Sequence, residues 1–424
     1  MTITVSLNEH QEFGTPSTNL KGYEKPNVAA PSEDDDPVCV NPVLRSSKWA
    51  LQEINLVKLD EDGITSAARY IHSRMHREAY VPRSWRDHAL HICPEEPFSW
   101  ASPSTRPFLD WIFLISSLNF SFWSELEGTP RRFGIKWREG WKSEKQVVHT
   151  GYWSLVAAVN RALEAGLPVT DPEFYSSPSR CPDSMVAHIF RVAEQSDEGI
   201  PLLSERVSIL RENGDILRSQ FDGSFYGFVQ AFRKRYNDCG TALQLVQMVT
   251  ETFPSFRDEH VYNGRRVHIW KRAQILVAET WAALYPASPS DLHPLFPSGP
   301  KIQELTMFAD YRVPQVLHRL RILSYPPSLV ALLEAHTPLE SGSKEELSIR
   351  AASIIGVERV REEIVKLVRA AGGGGEQAED TISSVVIDFY LWDLAKRVEG
   401  CADELDGIQT APMVPIHRTR SIWY

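Results

Sequence analysis

Apolar residues recur three and four positions apart from Trp49 almost to the C-terminus, and this spacing limits the fold more than any other feature of the chain. Stretches such as GYWSLVAAVNRALEAG, LSERVSILRENGDILRSQF and SIRAASIIGVERVREEIVKLVRAA place their apolar side chains on one face of a helix. Segments of this kind bury their apolar faces by packing helix against helix. The sequence therefore predicts a mainly α-helical protein.

One segment, HVYNGRRVHIW, interrupts the helical pattern. Its Asn263-Gly264 pair stands between apolar flanks and favours the two-residue turn of a β-hairpin. We therefore expect a small β element there, followed by a helix in KRAQILVAETWAAL. Because no convincing linker separates the later segments, residues 46–424 are predicted to form a single large helical domain that includes this hairpin.

The first 45 residues differ in composition from the rest of the chain. They are rich in Pro, Ser, Asn and Asp, contain an acidic run at residues 33–36, and show no apolar periodicity. Segments of this kind bury too little apolar surface to offset the entropy lost on ordering. We therefore predict a disordered acidic tail over residues 1–45.

Composition and charge narrow the class of protein. The chain has 424 residues, of which 42% are hydrophobic, so it can bury a sizeable core. A formal charge of −10 disfavours binding to duplex nucleic acid and makes a small molecule the expected partner. The five cysteines show no close pairing that would suggest a disulfide framework, and no apolar run approaches the roughly 18 residues of a membrane span. We expect a cytoplasmic protein without a membrane partner, with the nucleus as the alternative compartment.

Familiar cofactor and catalytic motifs are missing from the sequence. It contains no GxSxG elbow, P-loop or GxGxxG fingerprint, so a serine hydrolase, a nucleoside triphosphatase and a dinucleotide-binding enzyme lack support. His88 and His91 lie three positions apart, but no third ligand follows in a zinc-binding pattern. We therefore predict neither a metal ion nor a cofactor.

Two carboxylates occupy an unusually apolar helical segment, VVIDFYLWDL. An ionised carboxylate is costly to bury unless it is paired or functional, and we expect at least one of Asp388 and Asp393 to be buried. Phe389 and Asp393 share one helix face, so the helix can present carboxylates on both sides of an aromatic ring. This arrangement suits a flat heterocycle. The alternative is that each Asp pairs with an Arg or caps a neighbouring helix.

Asp310 stands out in the segment TMFADYRVPQ. Pro314 fits the first turn of a helix, which leaves Asp310 in the irregular stretch before it, where side chains can point into a cleft. Asp310 is either catalytic, paired with Arg312, or a helix cap.

Lys271 and Arg272 either bind a phosphate or lie at a core edge with their charged ends in water.

Six blocks of the sequence together resemble the queuosine salvage protein family. They are LNFSFW, GYWSLVAAVNRAL, KRAQILVAETW, TMFADYRVPQVL, DFYLWDLAKR and HRTRSIWY, and the likeness extends in order from about Trp49 to the C-terminus. The resemblance implies an N-glycosylase that hydrolyses queuosine 5'-phosphate and releases the base queuine for return to transfer RNA. It also implies a mainly helical fold similar to that of helix-hairpin-helix DNA glycosylases.

The resemblance also implies roles for particular residues. Asp310 matches the family's nucleophile or oxocarbenium-stabilising carboxylate. A histidine that contacts the ligand is matched by His91, with His88 as a competing match. The remaining expected substrate-binding positions are Phe308, Asp388, Phe389 and Asp393.

Two other functions use the same residues. A protein that binds or carries queuine-type nucleosides without turnover, acting with the transfer-RNA modification machinery, would need the same pocket. A DNA glycosylase is suggested by the implied fold alone, and the negative charge of the chain disfavours it.

Overall fold

Helices make up most of the structure, a computed structural model that describes residues 41–288, 290–372, 382–400 and 405–424. The helices are α1 (Pro42–Ile54), α2 (Glu61–Arg77), α3 (Thr105–Ser117), α4 (Tyr152–Glu164), α5 (Pro172–Tyr175), α6 (Asp183–Ile189), α7 (Leu203–Gln220), α8 (Phe225–Arg235), α9 (Ala242–Thr252), α10 (Lys271–Ala283), α11 (Val313–Arg319), α12 (Pro327–Glu334), α13 (Lys344–Ala370) and α14 (Ser384–Gly400). The mainly α-helical fold is confirmed, whereas a likeness to helix-hairpin-helix DNA glycosylases stays a prediction. None of the described helices is both long and apolar enough to cross a lipid bilayer.

Short strands add three antiparallel pairs to the described part of the chain. The strands are β1 (Lys58–Leu59), β2 (Gly134–Arg138), β3 (Gln146–Thr150), β4 (Glu259–Tyr262), β5 (Arg265–His268) and β6 (Leu323–Ser324), and the pairs are β1 with β6, β2 with β3 and β4 with β5. Asn263 and Gly264 join β4 to β5 with φ angles of 44° and 74°, the positive values that a tight hairpin turn requires. The predicted hairpin is therefore confirmed.

Asn41 is the first residue of the described part of the chain and caps its first helix. Its Oδ1 accepts the N–H of Val43 at 2.9 Å and so caps α1, while its Nδ2 donates to the carbonyl of Glu304 at 2.9 Å. Residues 42–45, which the sequence placed in the disordered tail, are thus helical. Residues 1–40 lie outside the described ranges, so disorder there stays a prediction. Val40–Tyr424 forms one compact unit.

Helix α10 lies at the centre of the core, and every one of its residues is buried. It packs against α3 and α9 and against a 3-10 turn at Pro82–Asp87. The long helix α13 packs against α1, α2 and α14, and α14 also packs against α11. A charged side chain on α10 is therefore held among apolar neighbours, away from bulk water.

Arg350, a fully buried residue of α13, fixes the segment that precedes α11. Its Nε donates to the carbonyl of Ala309 at 2.9 Å, and its Nη2 donates to Asp258 at 2.6 Å. The guanidinium also lies 4.0 Å from the ring centroid of Tyr424, the last residue of the chain. One charged side chain thus connects α13, the segment containing Asp310 and the C-terminus.

Candidate active site

A cavity of about 370 Å³ opens where α10, α14, the segment before α11 and the residues after the Pro82–Asp87 turn meet. Its volume is in the range of pockets that hold small ligands, about 300–1,000 Å³. The structure brings all the sequence-predicted site residues to this one cavity. They are His91, Phe308, Asp310, Asp388, Phe389 and Asp393, and the competing His88 lines it too.

Asp310 is held in the cavity wall by the start of α11. Its Oδ1 accepts two backbone N–H groups, from Arg312 and Val313, each at 2.8 Å. Its Oδ2 has no hydrogen bond among the described residues, and the residue is 8% exposed. The Arg312 side chain donates instead to Glu127 at 2.7 Å. Asp310 therefore has the capping role that the sequence allowed, and it also presents an oxygen to the cavity.

Asp388 lies beside Asp310 and is 4% exposed. Its Oδ1 accepts the N–H of Phe308 at 3.1 Å, which links α14 to the segment before α11. Burial raises the pKa of Asp388 well above its usual value, and the negative charge of Asp310 raises it further. Two neighbouring carboxyl groups thus differ in surroundings, since one accepts two N–H groups and the other is driven toward its neutral form.

Aromatic side chains form much of the remaining wall. The rings of Phe308 and Phe389 lie 5.9 Å apart between centroids, with their planes at 54°. Asp393, one turn beyond Phe389, accepts a hydrogen bond from the hydroxyl of Tyr80 at 2.8 Å. Burial raises the pKa of Asp393, while the bond from Tyr80 acts in the opposite direction. Tyr80 carries no sequence signal of its own, because its partner is more than 300 positions away.

The two histidines occupy different positions in the wall. His91 stacks on Trp85 with centroids 3.8 Å apart, and its Nδ1 donates to the Trp85 carbonyl at 2.7 Å. Burial lowers the pKa of His91 to about 3, so the ring is neutral and its Nε2 is an acceptor. His88 instead stacks on Trp153 at 3.5 Å. Of these two histidines, only His91 has a buried ring nitrogen without a hydrogen-bond partner among the described residues.

Helix α10 carries the two cations that the sequence singled out, Lys271 and Arg272, and of these two Lys271 lines the cavity. Lys271 is buried, and its Nζ donates to the carbonyl of Asn119 at 3.2 Å. Burial lowers its pKa to about 8. Arg272 is also buried and donates to the carbonyls of Ser117 and Ser255. The expectation that these two cations lie at a core edge with their charges in water is therefore wrong.

Glu279 lies two turns beyond Lys271 and lines the same cavity. Burial raises its pKa to about 7. Glu279 is not among the sequence-predicted site residues, although it meets the criterion that identified Asp388 in α14, a charged residue in an apolar segment. In ILVAETWAAL the glutamate is flanked by apolar residues in the same way as Asp388. Such an isolated charge is the signal that would have identified it.

Comparison with known proteins agrees with the resemblance in the sequence. The model of the queuosine salvage protein family matches residues 101–424. The chain belongs to this family. A protein of Schizosaccharomyces pombe, named queuosine 5'-phosphate N-glycosylase/hydrolase, is 34% identical over 389 residues, covering 90% of this chain and 99% of the relative. Proteins with the same name are 39% identical over 74% of this chain and 82% of the relative in Mus musculus, and 35% identical over 90% and 97% in Sphaerobacter thermophilus.

The region matched by the family model contains most of the residues that line the candidate site. Among the residues already described, Phe308, Asp310 and the carboxylates of α14 fall inside the matched region, as do Lys271 and Glu279. His91 precedes it, although the alignment with the relative from Schizosaccharomyces pombe covers 90% of the chain. Within the described ranges, no group of three or more His, Cys, Asp and Glu side chains is placed to hold a metal ion.

Proposed function

We propose that this chain hydrolyses the N-glycosidic bond of queuosine 5'-phosphate and releases queuine. The observation that supports this most directly is the cavity, in which a positioned carboxylate, a second carboxyl group of raised pKa and aromatic surfaces face a space of about 370 Å³. The relatives' shared name supplies the substrate and the reaction class. Residues 46–424 would form the catalytic domain, and a free nucleotide, not duplex nucleic acid, would be the substrate.

Asp310 is the proposed catalytic carboxylate. Breaking the bond between C1' and the base leaves positive charge on C1' and the ring oxygen of the ribose, and a nearby anion stabilises that charge. The two N–H groups that donate to Oδ1 hold the carboxylate in place, so Oδ2 can face the sugar without reorganisation. Asp310 acts either as a nucleophile or by stabilising the oxocarbenium ion, and both roles require its negative charge.

Asp388 is the proposed proton donor to the leaving base. Queuine is a 7-deazapurine, so it lacks the ring nitrogen on which ordinary purines are protonated as they leave. The electron pair of the broken bond goes to the base, which takes a proton at another atom, while a water oxygen bonds to C1' and loses a proton. Burial and the neighbouring anion raise the pKa of Asp388, which favours the protonated form that can supply this proton.

The aromatic wall suits the flat base. Phe308 and Phe389 offer ring surfaces on which a deazapurine can stack, and stacking of this kind does not depend on polar contacts. Asp393, positioned by Tyr80, lies on the same helix one turn further and can accept hydrogen bonds from amine groups of the base. These contacts orient the base while Asp310 faces the sugar.

The decisive test is turnover. Purified protein is mixed with queuosine 5'-phosphate, and free queuine and ribose 5-phosphate are measured by mass spectrometry. We expect both products in equal amounts. Tight binding of the nucleotide without either product would instead identify a carrier and reject the enzyme.

A further inference from the structure

Four buried polar atoms without hydrogen-bond partners among the described residues meet in one part of the cavity. They are Glu279 Oε2, His91 Nε2, Trp85 Nε1 and Tyr152 Oη. Each comes from a different element of the fold. A buried polar group left unpaired costs about 1–3 kcal/mol, so four of them together are unfavourable unless another molecule completes their hydrogen bonds. Their clustering therefore indicates a subsite for a polar part of the ligand.

Glu279 is the most unusual of the four. It is 8% exposed and has no ion pair with a Lys or Arg among the described residues. The indole N–H of Trp85 and the hydroxyl of Tyr152 lie near enough to favour its charged form, although neither bond meets ordinary distance and angle limits. The charge of Lys271 also favours the ionised form, but its ammonium donates to the carbonyl of Asn119 and forms no ion pair with Glu279 among the described residues. A cation supplied by the ligand would form that ion pair and would drive the glutamate to its ionised form.

The acceptors present match one chemical group. The ring of His91 donates through Nδ1 to the Trp85 carbonyl, so its Nε2 can only accept. Glu279 when ionised is also an acceptor. A secondary ammonium carries two N–H groups, one for each of these acceptors, and aromatic neighbours such as Trp85 and Tyr152 favour a cation. The donors of Trp85 and Tyr152 then remain for the ionised carboxylate, which leaves none of the four atoms unpaired.

The placement of two carboxyl groups is compatible with this group in queuine. The base carries a substituent at its 7-position in which a methylene links the ring to a secondary amine bearing a cyclopentenediol. The amine nitrogen is five bonds from C1', or about 6 Å away. Asp310 and Glu279 both line the cavity, and each lies close enough to the Lys271 ammonium to interact with its charge. A nucleotide whose C1' faces Asp310 can therefore present its amine to Glu279 within the same cavity.

We propose that Glu279 is a specificity-determining residue that binds the secondary ammonium of the queuine side chain, together with His91 Nε2. The inference rests on the proposed function, because the substrate is the one proposed there. It assigns to α10 the part of the base that distinguishes queuine from an unsubstituted 7-deazaguanine. Asp310, Asp388 and the phenylalanines act on parts that both bases share.

The test compares three free bases by isothermal titration calorimetry. Queuine carries the ammonium and the diol, 7-aminomethyl-7-deazaguanine carries the ammonium alone, and 7-deazaguanine carries neither. They are titrated into wild-type protein, into Glu279→Gln and into Asp110→Asn. Asp110 is the matched control, because it is also a buried carboxyl whose pKa is raised to about 7, but it accepts the N–H of Phe225 and lies outside the cavity.

We expect Glu279→Gln to weaken binding of the two ammonium-bearing bases by about 10- to 100-fold, the usual value of a charge-assisted hydrogen bond, and to leave 7-deazaguanine unchanged. Asp110→Asn should bind all three as the wild type does. An equal loss for all three bases would assign Glu279 to the purine ring or to the fold. A loss confined to queuine would assign it to the diol. Either result overturns the proposal.

Two controls make the outcome independent of the variant's folding and of the proposed activity. In the wild-type protein alone, 7-aminomethyl-7-deazaguanine should bind at least about tenfold more tightly than 7-deazaguanine, and equal binding rejects the ammonium contact. Turnover of queuosine 5'-phosphate by the wild type is measured in parallel. Failure of turnover rejects the proposed function, whereas turnover without the base preference rejects only the role of Glu279.

Discussion

Replacing Asp310 with Asn separates its two roles in the structure. Asn has nearly the same shape and retains an oxygen that can accept the N–H groups of Arg312 and Val313. The cap at the start of α11 is therefore preserved. We expect the free energy of unfolding to change by less than about 1 kcal/mol, since Asn and Asp are similarly good caps. What the substitution removes is the negative charge.

The size of the kinetic effect follows from Coulomb's law. Two unit charges about 3.5 Å apart interact by about 5 kcal/mol at an effective dielectric constant of about 20. The amide dipole of Asn recovers part of this energy, so we expect a loss of about 3–4 kcal/mol in transition-state stabilisation. At about 1.4 kcal/mol per factor of ten, the Asp310→Asn rate constant should fall by about 10²- to 10³-fold.

The assay is single-turnover release of queuine with the protein in saturating excess over queuosine 5'-phosphate, followed by mass spectrometry, with thermal unfolding measured on the same samples. Asp110→Asn again serves as the control for a buried carboxyl outside the cavity and should release queuine at the wild-type rate. A rate for Asp310→Asn above about one tenth of the wild-type rate would show that the charge is not needed. Asp310 would then be a structural cap only.

Three further predictions follow from the surroundings of individual side chains. Folding raises the pKa of Glu279 from 4.5 to about 7, so the folded state binds its proton more tightly and the free energy of unfolding falls as the pH rises through that range. Glu279→Gln lacks this proton. Between pH 4 and pH 8, its free energy of unfolding in urea should therefore rise by on the order of 3 kcal/mol relative to that of the wild type. Tyr80→Phe removes the donor to Asp393 and should raise KM by about fivefold with little change in kcat, which steady-state kinetics will show. Deleting Tyr424, which is buried against Arg350, should cost about 3–5 kcal/mol in calorimetric stability.

The sequence predicted the fold well where local patterns decide it. The helices with clear apolar periodicity and the hairpin at Asn263-Gly264 are present, because side-chain spacing and turn chemistry act over a few residues. The start of α1 could not be predicted in this way. Asn41 bonds to Glu304, 263 positions away, and no local pattern reveals such a partner.

The site was predictable to the extent that its residues are polar at apolar positions. That criterion identified Asp388, and the same criterion would have identified Glu279 in α10. Lys271 shows what a local sequence pattern does not reveal. A cation beside aromatic residues is often found at the protein surface, and only the packing of α10 on all sides shows that this one is buried. Residues such as Trp85 and Tyr152 carry no sequence signal, because their unpaired atoms exist only once the fold is formed.

The site also depends on the core through Arg350. This side chain binds the carbonyl next to Asp310, pairs with Asp258 and contacts the ring of Tyr424, so three distant parts of the chain must be in place before the cavity wall is complete. Breaking a buried ion pair costs about 3–5 kcal/mol, which makes partial assembly of the wall unfavourable. The unpaired polar atoms of the cavity are thus held in place by the packing around them and not by hydrogen bonds of their own. Their hydrogen bonds remain available to a ligand.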